Sequence, residues 1–301
     1  MSVPKIRLND GNEMPIFGLG TDKSPISGDN TRAVECAIDA GYRHIDCSYL
    51  SQNEGEIGEA IRNKIEDGTV TRKELFVATK LWFARHEPEN VVKFCEKSLD
   101  NLGLDYLDLY YIHWPVSYKG SNNPQHYIDY LDTWKSMEEC VKLGLAKSIG
   151  ISNFNSQQVE RLIQNCTIKP VVNQVEVNTS INQKKLTEFC NDRGIVIVGY
   201  TPLGSIDKVR HGVQIPKILT ELAAKYNKNP GQIVLRYLVQ LGVVPIPRSL
   251  NKTRITTNIQ IFDFVLTNDE VEQLDALNEN KRFITFDSAK KFKEYPFHIE
   301  F

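Results

Sequence analysis

The chain has 301 residues, of which 41% are hydrophobic and 25% charged, and a formal net charge of −2. That balance suits a fold with one sizeable core, and it offers no basic stripe for nucleic acid or an anionic membrane. No apolar run reaches membrane-spanning length, MSVPKIRLNDGNEMP is too polar for a secretory signal, and the six cysteines lack metal spacing, so a cytoplasmic protein without bound metal is expected.

In chain order, KIRLNDGNEMPIF reads as two short strands around a turn at Asn9 to Asn12, a lid over one end of the fold. Strand and helix signals then alternate. The strand candidates are residues 16–20, 42–46, 75–81, 106–113, 146–152, 171–177, 195–200 and 243–249, near-continuous apolar runs of the kind buried on both faces. Between them, Ile57, Ala60, Ile61 and Ile65 form one helical stripe, and Val91, Cys95, Leu99 and Leu102 another. Gly41, Gly103, Gly144 and Gly194 each follow a helix-like stretch, where a left-handed C-cap is needed. Asn229-Pro230 marks a helix start, and Thr267 with Glu270 makes a capping box. No linker or low-complexity stretch divides the chain. Residues 1–301 are therefore expected to form a single α/β domain, a (β/α)₈ TIM barrel with an N-terminal β-hairpin and a C-terminal loop over the site. A doubly wound sheet would need a glycine-rich first turn, and Gly18-x-Gly20 lacks the third glycine and the helix start.

Four successive strand candidates end on residues with chemistry: Asp46, Lys80, His113, and Ser152 with Asn153. In a parallel barrel those ends converge on one face, which puts an acid, an amine and an imidazole in one site. Taken singly each is weak, since a lone histidine or lysine at a strand end is more often structural. Together they point to an enzyme.

GYRHIDCS (41–48) followed by QNEGEIG, ATKLW (78–82), YIHWP (111–115), GISNFN (150–155), GYTPLGS (199–205) and IPRS (246–249) resemble the motifs of the aldo-keto reductases, nearest the aldose/aldehyde reductase branch. The resemblance implies reduction of aldehydes or ketones to alcohols with NADPH. In that family a tyrosine donates the proton, a lysine paired with an aspartate lowers its pKa, and a histidine orients the carbonyl. Asp46, Lys80 and His113 match three of these positions. The tyrosine position is Ser51, with Tyr49 two residues earlier. Asp22, in GLGTDKSP, stands where the family usually carries a tryptophan.

The resemblance also implies cofactor contacts. Thr21, Asp46, Ser152, Asn153 and Gln174 would hold the nicotinamide end, and Tyr200 would stack on the ring. Leu203 and Ser205 would cover the pyrophosphate. Arg248, Ser249, Leu250, Asn251 and Arg254 would bind the 2′-phosphate, with Asn258 near adenine. Leu50, Trp82 and Trp114 join Asp22 as walls of the substrate pocket. The loops after His113 and Gly204 look short for this branch, which would open its mouth.

Two expectations compete. In one, the chain is a carbonyl reductase with an altered proton donor: Tyr49, His113, or a water on Ser51. In the other it is a catalytically depleted relative that binds NADPH for a sensing or structural role. Asp22 either repels anionic substrates from the pocket or turns to solvent and Lys23. The expected partner is a small carbonyl compound and the expected state a monomer.

Overall fold

The computed structural model describes residues 3–117, 127–204 and 214–301. Strands β1 (Lys5–Arg7) and β2 (Glu13–Pro15) pair antiparallel, with Ile6 opposite Met14. The turn between them is fixed by the Asp10 side chain, which accepts the Asn12 backbone N–H at 2.9 Å, and by Gly11 at φ 92°. Met14 and Leu8 are buried against Phe76, Leu109, Val198 and Val244, so the hairpin plugs one end of the barrel.

The main sheet runs β3 (Leu19–Gly20), β4 (His44–Asp46), β5 (Phe76–Leu81), β6 (Leu107–Ile112), β7 (Ala146–Ser152), β8 (Val172–Glu176), β9 (Val196–Tyr200) and β10 (Val243–Pro245), each parallel to its sequence neighbour. It closes on itself where Gly20 bridges Arg248 and where the Gly18 and Gly20 N–H groups reach the Pro245 and Pro247 carbonyls. A Cβ at Gly20 would lie 2.6 Å from the Ile246 carbonyl oxygen, so closure at this seam needs glycine. All eight expected strands form. The first and last are much shorter than expected because Pro245 and Pro247 have no N–H to give the ladder.

The outer layer comprises α1 (Asp29–Asp39), α2 (Glu54–Glu66), α3 (Pro88–Leu102), α4 (Tyr130–Lys142), α5 (Ser156–Ile163), α6 (Lys184–Asn191), α7 (Lys217–Tyr226), α8 (Pro230–Gln240), α9 (Lys252–Asn258) and α10 (Asn268–Asp275). Ile57, Ala60 and Ile61 of α2 and Val91, Cys95 and Leu102 of α3 are fully buried against the barrel, each large apolar side chain contributing roughly 1.5–3 kcal/mol. The capping box at Thr267 forms, and Asn229 caps the start of α8 as expected, with Gln232 completing a second capping box there. Gly103 caps α3 at φ 65°.

Two buried histidines tie this fold to pH. Burial pulls the His44 imidazole down to about 4 and that of His86 to about 3. Both folded values lie below the ordinary value near 6.5, so the unfolded chain takes up protons first as pH falls, and stability drops with it. The urea midpoint should therefore fall from pH 6.5 to pH 4, with His44 alone accounting for about 3 kcal/mol by the lower end. A midpoint that stays flat over that range contradicts this.

Candidate active site

Parallel register brings the strand ends level: Gly20 stands opposite Asp46, Ser152 opposite Gln174, and Glu176 opposite Tyr200. Asp46 and Lys80 are almost wholly buried, and the Lys80 ammonium is bonded to Asp46 Oδ1. It also donates to the Cys47 carbonyl at 2.8 Å, while Gln174 Nε2 donates to the second Asp46 oxygen at 2.8 Å. A buried ion pair is tolerable only when its remaining valences are met in this way. An ammonium has three donors. Two are used here, and Lys80 is among the residues that line the cavity.

His113 directly follows β6 with its backbone N–H on the Leu81 carbonyl, and its ring meets Trp82 edge-on at 5.4 Å. Burial, then the charge of Lys80 and the nearby His86, hold its imidazole well below the ordinary value. A neutral imidazole can donate from one nitrogen and accept at the other.

Next to this group lies a polar row. Ser152 Oγ donates to the Gln174 carbonyl at 2.8 Å. Asn153, in the left-handed region at φ 63°, donates to the His113 carbonyl at 3.0 Å and accepts the Tyr200 hydroxyl at 2.8 Å. Burial pushes the Tyr200 phenol up, which keeps it a neutral donor. Thr21 is pinned to the Asp46 carbonyl by its N–H and its hydroxyl, each at 3.0 Å.

These groups open on a cavity of about 500 Å³. Thr21, Asp22, Asp46, Leu50, Ser51, Lys80, Trp82, His113, Trp114, Asn153, Gln174, Tyr200 and Arg248 line it together. Ser152 stands just behind Gln174. Leu203 is buried in the core that surrounds the barrel. Ser249, Leu250, Asn251, Arg254 and Asn258 lie beyond the cavity, at the end of β10 and along α9, where Asn251 Oδ1 caps the helix by accepting the Arg254 N–H at 3.0 Å. Ser205 lies outside the described residues, as do most of the loop after His113 and the start of the stretch after Gly204.

Tyr49 corrects one expectation. It sits in a one-turn 3₁₀ helix, Tyr49–Ser51, whose start is fixed by Ser48 Oγ accepting the Leu50 N–H. That turn sends the Tyr49 ring outward to meet Phe94 of α3 edge-on at 5.3 Å, and Tyr49 does not line the cavity. Ser51 does line it, and its hydroxyl donates to Asp22 Oδ1 at 3.3 Å. The same oxygen accepts the Lys23 backbone N–H at 2.7 Å, and Asn53 Nδ2 holds the Asp22 carbonyl at 3.1 Å. Asp22 therefore faces the cavity, and Lys23 engages it through its amide.

The expected C-terminal loop over the site is present, and the residues it contributes, which the sequence did not single out, are Ile284 and Phe286 on the cavity wall. Glu176 at the end of β8 accepts the N–H groups of Phe283 and Ile284 at 2.9–3.0 Å. Phe286 is thereby set against Trp114, with ring centroids 4.8 Å apart. A buried acid at a strand end was the available signal.

An acid–amine pair, a neutral imidazole and a carboxamide-sized polar row at the C-terminal end of a parallel barrel define a carbonyl-reducing site. The family comparison agrees: the aldo/keto reductase family model matches residues 17–279, and the chain belongs to that family. It is 46% identical to aldo-keto reductase AKR2E4 of Bombyx mori, over 98% of this chain and 99% of that protein. The crystal structure of that protein in complex with NADP superposes with a TM-score of 0.92 at 45% identity, covering 98% of this chain and 99% of the other. The aldose reductase of Schistosoma japonicum superposes with a TM-score of 0.93 at 38% identity, covering 99% of this chain and all of the other.

Proposed function

We propose that the chain reduces aldehydes or ketones to alcohols with NADPH, and that the proton comes from the Lys80 ammonium in place of a phenol. The observation that carries this is the Lys80 donor set: Asp46 and Cys47 take two of its three N–H groups, and Lys80 lines the same cavity as Ser51. Reference values for an ammonium and a phenol are about 10.4 and about 10, so the two are acids of similar strength. A serine hydroxyl is far weaker, and that of Ser51 is already given to Asp22.

The residues present fit the cofactor. Ser152, Asn153 and Gln174 supply donors and acceptors for a carboxamide, and Tyr200 offers a ring at the cavity wall. Arg248 and Arg254 are exposed, and among the described residues neither is in an ion pair, which leaves two guanidiniums for a phosphate. Bound NADPH would supply the hydride. Lys80 gives its proton to the carbonyl oxygen as charge develops there, Asp46 keeps the amine in place, and His113 hydrogen-bonds the same oxygen and orients it. Trp82, Trp114 and Phe286 exclude water around it. We also assign the chain to the cytoplasm as a monomer: all six cysteines are free thiols, and the eight-stranded sheet closes on itself. Among the described residues no helix is long and apolar enough to cross a membrane.

The deciding experiment follows NADPH oxidation with a panel of reactive aldehydes beside a fluorescence titration of NADPH alone. Turnover supports the reductase, whereas binding without turnover of any carbonyl favours the depleted relative. Arg248→Ala or Arg254→Ala should weaken NADPH by about 1.5–3 kcal/mol and NADH much less. Equal wild-type affinity for the two cofactors would refute the 2′-phosphate site.

A further inference from the structure

Asp46 and Asp22 both face the cavity, but only Asp46 is neutralised, by Lys80. Asp22 Oδ1 is held by the Ser51 hydroxyl and the Lys23 amide, and Asn53 fixes its main chain, so the carboxylate is oriented from two loops at once. Among the described residues Oδ2 has no hydrogen-bond partner. Trp82, Trp114 and Phe286 add aromatic rings to the wall of the same cavity. A fixed carboxylate that shares a cavity with aromatic rings is the chemistry that recognises an organic ammonium ion, through a charge-assisted hydrogen bond and cation–π attraction. The other charge facing the cavity, Arg248, turns its guanidinium to the Lys23 carbonyl at 3.1 Å.

We infer that Asp22 is a specificity-determining carboxylate, positioned by Ser51, and that the favoured substrates are carbonyl compounds carrying a protonated amine. On this inference the serine at the phenol position positions an anion. It rests on the carbonyl-reductase reading for the word substrate, but recognition of the ammonium group is testable without turnover.

Unreactive probes of one shape answer the question: phenethylammonium, 2-phenylethanol and phenylacetate, titrated into the protein saturated with NADP⁺. The ammonium should bind about ten-fold tighter than the alcohol, and the carboxylate weakest. Raising the salt concentration should erode the ammonium preference in the wild type and leave the alcohol unchanged, a result that needs no variant. Asp22→Asn should lower the ammonium-to-alcohol affinity ratio by about ten-fold, and Ser51→Ala by a smaller factor, since it frees the carboxylate without removing it. An ammonium preference that is absent, or that survives Asp22→Asn, overturns the inference. Ammonium selectivity with no turnover of any aldehyde would leave it standing and instead refute the reductase reading. Turnover without selectivity would do the reverse.

Discussion

Replacing Lys80 by methionine is expected to lower kcat by about 10²–10⁴-fold, the range a positioned general acid contributes. The change keeps the length of the side chain and removes all three N–H donors. It also leaves Asp46 buried without its counter-charge, which destabilises by about 3–5 kcal/mol. The double change Asp46→Asn with Lys80→Met avoids that penalty and should lose kcat as fully while melting closer to the wild type. Donation and mere positioning are separated by rescue. Small primary ammonium salts should restore part of the rate in the single variant, because the cavity of about 500 Å³ admits them beside Asp46, while isosteric alcohols should not. If kcat stays within about three-fold of the wild type, the proton comes from His113 or water and the assignment to Lys80 is wrong.

Much of this architecture was legible because it rests on local signals. Strands buried on both faces read as unbroken apolar runs, and the stripes of α2 and α3 recur at helical spacing. The helix caps at Asn229 and Thr267 are decided within four residues. The site was legible in outline for the same reason, since Asp46, Lys80 and His113 each lie at or next to the C-terminal end of a strand whose register the fold fixes. What escaped depends on contacts between distant loops. The bond from Ser51 to Asp22 joins residues 29 apart in sequence, and no local pattern announces it. Tyr49 stands beside the cavity in sequence, but a single 3₁₀ turn and the edge of Phe94 decide which way its ring points. Phe286 reaches the wall because Glu176, more than a hundred residues earlier, accepts the backbone N–H groups of Phe283 and Ile284. The strand boundaries erred where proline, lacking an N–H, ends a ladder that the apolar run would have continued.

Ser51→Tyr is expected to raise kcat by on the order of 10²-fold, the lower end of what a general acid adds. Ser51 is buried on the cavity wall and Lys80 lines the same cavity, so a phenol placed there would have a cation near it to lower its pKa. The gain should sit in kcat more than in KM, because a proton donor acts in the transition state. The phenol would also release Asp22 from its hydroxyl partner, so any ammonium selectivity should weaken in the same variant. Tyr49→Phe is the control: its ring packs on Phe94 outside the cavity, and its loss should leave kcat unchanged. A large fall on Tyr49→Phe would mean that this ring turns inward when substrate binds. Suppose instead that Ser51→Tyr folds, binds NADPH and gains nothing while the wild type is fast. Then Lys80 already delivers the proton at full efficiency, and the serine at this position constrains specificity without limiting rate.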